Sequence, residues 1–269
     1  QVYMAINPDV MGIVNCTPDS FFDQSRSLVI DEAIALGLSH FSHGAGIVDV
    51  GGESTRPGAE PVSVDEELRR VIPVIEALAK AGPVSVDTQK EDVARAAVAA
   101  GAQVINDVSS TLYQVAGELG VGYVAMHRQG DSTVMQNNPH YEDVVAEVHG
   151  FLHEVAQRAR AAGVTQLWLD PGIGFGKTVE HNLTLLAHVS DLVEISQGHQ
   201  AGVLIGTSRK RFLENLGSTP LSVDQRLEGS LASATWAMLC GANMVRVHDV
   251  KAVVQARELL VRPLGEVSQ

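Results

Sequence analysis

Polar residues of a few chemical types recur at eight places along the chain, each directly after a short apolar run. They are Asn15, Gly51-Gly52-Glu53-Ser54-Thr55-Arg56, Asp87, Asn106-Asp107, His127, Asp170, Ser208-Arg209-Lys210, and Arg246 with His248. Asp87, Asn106 and Asp170 supply acceptors and one amide donor, a set that suits a heterocycle with several N–H groups. Ser208, Arg209, Lys210, Arg246 and His248 gather hydroxyl and cationic donors late in the chain, a set suited to a phosphate or diphosphate. Asn15 adds a neutral amide oxygen, which Mg2+ accepts beside water and substrate oxygens.

These groups converge only if the apolar runs are strands ending at one rim. Met11-Gly12-Ile13-Val14, Ile47-Val48-Asp49-Val50, Val84-Ser85-Val86 and Val104-Ile105 make four such runs. Tyr123-Val124-Ala125-Met126, Leu167-Trp168-Leu169, Val203-Leu204-Ile205 and Met244-Val245-Arg246-Val247 make four more. Between most of them lie Ala- and Leu-rich segments at helical spacing, among them 64–81, 91–100, 144–162 and 227–240. Strand and helix in alternation imply a parallel sheet, because each strand is returned to the same end by a crossover helix. Eight units in roughly 250 residues predict an α/β fold, a single (β/α)8 TIM barrel with its active site at the C-terminal ends of the strands. The seventh and eighth strand ends are where such barrels often bind phosphate, and the first strand adjoins the eighth. No linker or composition break interrupts the chain, so residues 1–269 are expected to form one domain. Ala-Gly and Gly-Ala pairs at 81–82, 101–102, 162–163 and 241–242 read as left-handed helix caps at the barrel's other end.

Composition narrows the partners. Of 269 residues, 45% are hydrophobic and 19% charged, which excludes disordered and low-complexity classes. Against 32 Asp and Glu stand 19 Lys and Arg, and a net charge of −13 argues against nucleic acid or an anionic membrane as partner. Any anion must then be met by a local cationic corner. Cys16 and Cys240 show no paired spacing, which argues against structural zinc and for a reducing, cytoplasmic setting. No apolar run approaches the roughly 18 residues of a membrane span, and Gln1-Val2-Tyr3-Met4 leads with no basic segment.

Eight blocks in order resemble the dihydropteroate synthase family. They are Asn15-Cys16-Thr17-Pro18-Asp19-Ser20-Phe21, the run from Asp49 to Gly58, Ser85-Val86-Asp87-Thr88, Ile105-Asn106-Asp107-Val108-Ser109, Met126-His127, the run from Asp170 to Lys177, the run from Gly206 to Phe212, and Val245 to Val250. The resemblance implies condensation of 6-hydroxymethyl-7,8-dihydropterin diphosphate with p-aminobenzoate, giving 7,8-dihydropteroate and diphosphate by an SN1-like transfer. It implies that Asp87, Asn106, Asp170 and Lys210 hold the pterin, with Met126 and Gly206 packed around it. Asn15, Arg246 and His248, with Mg2+ on Asn15, would hold the diphosphate, and with Lys210 they form the expected catalytic set. Thr55, Arg56, Pro57, Phe175 and Ser208 would border p-aminobenzoate, beneath loops carrying Thr17, Pro18 and Phe21 and spanning 54–58. A homodimer is implied as well.

Some residues have plainer readings. Gly176-Lys177-Thr178 ends like a phosphate-binding P-loop, but the motif's first glycine would fall on Pro171. His149, His153, His181 and His188 lie on expected helices as solvated or packing residues. Asp49 and Asp107 are open between a structural role and a substrate contact. Asp65-Glu66-Glu67 reads as a solvated first helical turn, and Cys16 has no neighbour marking a nucleophile. The segment 231–238 suits either an intersubunit surface or a barrel-facing helix. Phe22-Asp23-Gln24-Ser25-Arg26-Ser27 departs from the family's paired glycines, which predicts altered handling of sulfonamide analogues. Two alternatives stand beside the synthase reading: a pterin-binding methyltransferase barrel, which has no use for the late cations, and a paralogue that binds pterin or phosphate without turnover.

Overall fold

The computed structural model describes residues 7–17, 24–54, 61–130, 138–214, 216–217 and 219–262. Pro18, Phe21, Phe22, Thr55, Arg56 and Pro57 lie outside them. The strands are β1 (Asp9–Asn15), β2 (Ile47–Gly51), β3 (Val84–Asp87), β4 (Val104–Asp107), β5 (Gly122–Met126), β6 (Leu167–Asp170), β7 (Gly202–Ile205) and β8 (Met244–Val247). The helices are α1 (Gln24–Ser42), α2 (Val64–Leu78), α3 (Glu91–Ala99), α4 (Tyr113–Leu119), α5 (Val144–Ala161), α6 (Val179–Ala187), α7 (Val189–Gly198), α8 (Leu227–Leu239) and α9 (Val250–Val261). The strands close in chain order into a parallel barrel, with Asp9 of β1 paired to Met244 of β8. The expected alternation is broken once, where α6 and α7 both follow β6.

Side chains alternate across each strand, and burial sorts them into two cores. Val10, Val48, Val86, Ile105, Leu169 and Val245 pack outward against the helices in the larger core. Met11, Ile47, Val104, Val124, Leu204 and Met244 form a separate cluster inside the barrel, with Trp168 against it. Each such side chain, fully buried, contributes about 1.5–3 kcal/mol. Except in β3, whose inward position is the buried Ser85, both faces of the strands are therefore apolar near their starts, which is why they read as continuous Val- and Ile-rich runs.

Counting upward in twos from the inner cluster decides which polar residues face the mouth. Asn15, Asp49, Asn106, Met126, Asp170 and Arg246 are in phase with it, and Asp87 joins them by pairing with Asn106. Asp107 is out of phase, on the helix side with Ile105.

Caps fix the helices that return the chain. Asp143 accepts from the backbone N–H groups of Val145 and Ala146 at 3.0 Å, and Ser63 caps α2 through Glu66 N–H. Such a cap is worth about 1 kcal/mol. Gly101, Gly163 and Gly241 take positive φ after their helices, as expected. Gly82 does not, and its expected role is corrected: a Cβ there would lie 2.7 Å from the Phe41 ring, so the requirement is space.

Candidate active site

At the mouth, β2, β3, β4 and β8 bring four polar side chains into one network. Arg246 donates from Nε to Asp49 Oδ2 at 2.6 Å and from Nη2 to Asp87 Oδ2 at 2.7 Å. Asn106 Nδ2 donates to the same Asp49 oxygen at 2.9 Å. Asp49 is wholly buried and, through one oxygen, orients two other site residues. One N–H of the Asn106 amide goes to Asp49, which fixes the side chain and leaves its carbonyl oxygen to accept from a ligand. Burial pushes the Asp87 carboxyl up from its ordinary value, and the Arg246 guanidinium opposes that rise. Burial also works against the Arg246 charge, but Asp49 and Asp87 outweigh it and hold the guanidinium protonated. Sequence reasoning missed Asp49 as an orienting residue, although its two-residue spacing from inward-facing Ile47 carried the signal.

The β6 end supplies the second acceptor and its cation. Asp170 is buried and accepts from Gly172 N–H at 2.7 Å through Oδ1. Burial raises its carboxyl, with Lys210 the main opposing charge. Lys210 reaches over from the β7 loop, donates to the Ile173 carbonyl at 2.5 Å and lies 4.6 Å from the centroid of the Phe175 ring. Burial pulls the Lys210 ammonium down to about 8, against the attraction of Asp170. Gly206 leaves room between Lys210 Nζ and the Arg246 side chain, which a Cβ would meet at 3.6 and 3.8 Å. Met126 is buried, with its N–H and carbonyl both held by the Ser110 hydroxyl at 2.8 Å.

The late cations separate. Arg209 faces away from the strand-end carboxylates and pairs with Asp249 at 2.6 Å, which removes it from the expected anion corner. Its φ of 57° turns the backbone so that its N–H donates to the Ser230 hydroxyl. Ser208 is buried and spends its hydroxyl on His248, accepting from the backbone N–H at 3.1 Å and meeting Nδ1 at 3.0 Å. Ser208 therefore orients the His248 ring. Asn15 ends β1 exposed, in register with Gly51, and Thr17 follows half-buried. No group of three His, Cys, Asp or Glu able to hold a metal occurs among the described residues. A single exposed amide oxygen at the mouth fits Mg2+, which takes most of its ligands from phosphate oxygens and water.

Asp107 proves structural. Its buried carboxylate accepts from Ser109, Thr111 and Leu112 N–H groups at 2.7–2.8 Å and from the Tyr123 hydroxyl at 2.8 Å. Glu67 overturns the reading of the acidic run as solvated. It is 1% exposed, with Lys90 Nζ at 2.5 Å and the Thr88 hydroxyl donating at 2.7 Å.

Residues 11–248 match the family described as pterin binding enzyme. The Escherichia coli (strain K12) dihydropteroate synthase is 44% identical over 96% of this chain and 93% of its own length. The chain belongs to the dihydropteroate synthase family of pterin-binding enzymes. A Xanthomonas albilineans dihydropteroate synthase solved with 4-aminobenzoic acid is 48% identical, with a TM-score of 0.84 over 94% of this chain and 91% of that one. The same organism's enzyme in complex with 7,8-dihydropteroate gives a TM-score of 0.81 at 42% identity, over 96% and 93%.

For a dihydropteroate synthase family member, the base of the second loop is where the sequence was least informative. Glu53 accepts from Val62 N–H at 2.8 Å and from Lys90 at 2.5 Å, so one carboxylate ties together both ends of the segment 54–61. Gln89 donates to Glu53 at 3.1 Å and accepts from Arg128 at 3.0 Å, extending the tie to the β5 end.

Proposed function

We propose that the chain joins the methylene carbon of 6-hydroxymethyl-7,8-dihydropterin diphosphate to the amine of p-aminobenzoate, releasing diphosphate and forming 7,8-dihydropteroate. The observation that carries this reading is the strand-borne set of Asp87, Asn106 and Asp170 beside Arg246 and Lys210. It occurs in a chain 42–48% identical to synthases solved with 4-aminobenzoic acid and with 7,8-dihydropteroate.

The pterin N–H groups would donate to Asp87, Asp170 and the Asn106 carbonyl oxygen. As the C–O bond to diphosphate breaks, positive charge grows on the methylene, and the buried carboxylates of Asp87 and Asp170 stabilise it. Arg246 has spent Nε and Nη2 on the carboxylates, which leaves its other N–H groups for the departing anion, with His248 beside it. The arylamine nitrogen attacks the methylene and gives up its proton to water. Phe175 under Lys210 would flank the aromatic ring, with Thr55, Arg56, Pro57 and Ser208 on the same side. Asn15 would offer its oxygen to Mg2+, which when bound supplies charge neutralisation on the diphosphate.

We further propose that residues 1–269 act as one cytoplasmic domain and form a homodimer. Exposed Trp236 and Leu239 on α8 and Leu259 on α9 support an apolar subunit contact. Incubation with both substrates and Mg2+ tests the activity. Dihydropteroate and diphosphate in equal amounts support it. Binding without product favours the non-catalytic alternative, and methyl transfer from a methylated tetrahydropterin favours the methyltransferase.

A further inference from the structure

Lys177 is the one motif lysine that the proposed chemistry leaves unused. It is 3% exposed, in a chain whose charged groups mostly stay in water. Its Nζ lies 3.0 Å from three acceptors: His127 Nδ1, the Gly172 carbonyl and the Phe175 carbonyl. The His127 carbonyl adds a longer contact at 3.4 Å, so every donor of the protonated form finds an acceptor, although burial pulls the ammonium down to about 7. His127, pulled down to about 3 by burial and by the Lys177 charge, stays neutral and presents Nδ1 as an acceptor.

The carbonyls that Lys177 takes belong to the β6–α6 loop, whose remaining groups are also committed. Gly172 N–H goes to Asp170, Gly174 N–H to Asn182 at 2.6 Å, and the Gly176 carbonyl takes the Tyr141 hydroxyl at 2.9 Å. Between them, the Ile173 carbonyl takes Lys210, and Phe175 lies beneath the same ammonium. The loop is thus held between two lysines. Lys210 meets it from the mouth, and Lys177 meets it from within the protein.

We propose, on the footing of the condensing activity above, that Lys177 is a positioning residue that sets the backbone of the β6–α6 loop. It thereby fixes the height of Phe175 and of the Ile173 carbonyl on the p-aminobenzoate side of the mouth. Asp87 and Asn106 stand on strands away from this loop, and Asp170, itself on β6, meets it only through Gly172 N–H. Facing Lys177 are Asp170 from β6, Lys210 from the β7 loop, His127 from the β5 end, and Tyr141. Arginine is no substitute, since a planar fork cannot meet three acceptors arranged around a point.

The test is a split in Michaelis constants, with wild-type turnover measured first. Lys177→Met is expected to raise KM for p-aminobenzoate at least tenfold, with KM for the pterin diphosphate held within threefold. Should Lys177→Met fail to fold, His127→Phe removes one acceptor and keeps a ring among its aromatic neighbours Tyr141 and Phe151. It is expected to give the same split at about a third of the size. Unchanged constants in a soluble variant of an active wild type overturn the positioning role and leave the activity standing, even if thermal stability falls. An equal rise in both constants overturns it as well, because that is what a general loss of structure produces. Wild-type protein that forms no product refutes the condensing activity, and the positioning role with it.

Discussion

Arg246 Nε and Asn106 Nδ2 converge on one oxygen of Asp49, at 2.6 and 2.9 Å, deep below the rim of the barrel. Asp49 therefore orients the guanidinium that reaches Asp87 and the amide that faces the pterin side. A carboxylate with no access to solvent governs both halves of the proposed site.

Asp49→Asn tests that relationship. The change keeps the shape and can still offer one oxygen to both donors, but it removes the charge that holds Arg246. Breaking a charge-assisted buried contact costs about 2 kcal/mol, roughly thirtyfold in kcat/KM for the pterin diphosphate. Steady-state kinetics check it, and KM for p-aminobenzoate is expected to move little.

The alkaline limb of the pH profile belongs to Lys210. Its ammonium is lowered to about 8, so the charge is present below that pH and is lost as pH rises through it. Affinity for the pterin diphosphate is expected to fall above about pH 8. In Lys210→Met the affinity is lower throughout and the step near pH 8 is lost. Isothermal titration at several pH values reads both.

Gly172 tolerates no side chain. Its φ is +67°, and a Cβ would lie 1.8 Å from the His127 carbonyl oxygen. Left-handed backbone alone costs an L-residue about 1–2 kcal/mol, and the clash forces the loop to move as well. Gly172→Ala is expected to lose more than tenfold in kcat/KM for p-aminobenzoate and to melt measurably earlier.

Asp107→Ala is expected to act on stability and not on chemistry. Three backbone N–H groups and the Tyr123 hydroxyl lose their buried acceptor. The loss is about 3 kcal/mol, or roughly 6–12 °C in midpoint for a chain of this size. Calorimetry reads it, and both Michaelis constants are expected to stay within about threefold at a permissive temperature.

Asn15→Ala addresses the cation. Removing a single neutral oxygen is expected to raise the Mg2+ concentration for half-maximal turnover about tenfold, with kcat recovered at saturating Mg2+. A Mg2+ titration of both proteins measures it.

The barrel was legible because every strand is buried on both faces, which leaves an unbroken apolar run of the kind seen at Val203-Leu204-Ile205. The candidate residues were legible as strand-end polar groups, but their types alone did not tell Asp49 from Asp107. Strand phase does: Asp49 is two residues from inward-facing Ile47, and Asp107 is two from outward-facing Ile105. Glu67 could not be read from its own neighbourhood, because its partner Lys90 comes from the next strand–helix connection. The desertion of Arg209 to Asp249 was hidden for the same reason, since the two meet only after β8 closes the barrel. Lys177 resembled a nucleotide-loop lysine on type and proved to be satisfied by its own loop.

The most direct measurement follows the bridging oxygen. Pterin diphosphate labelled with 18O between the methylene carbon and phosphorus is incubated with p-aminobenzoate, Mg2+ and the protein. The proposed condensation puts all of the label into diphosphate, in a one-to-one ratio with unlabelled dihydropteroate. Label left on a hydroxymethylpterin, or binding of both substrates with no dihydropteroate formed, contradicts it.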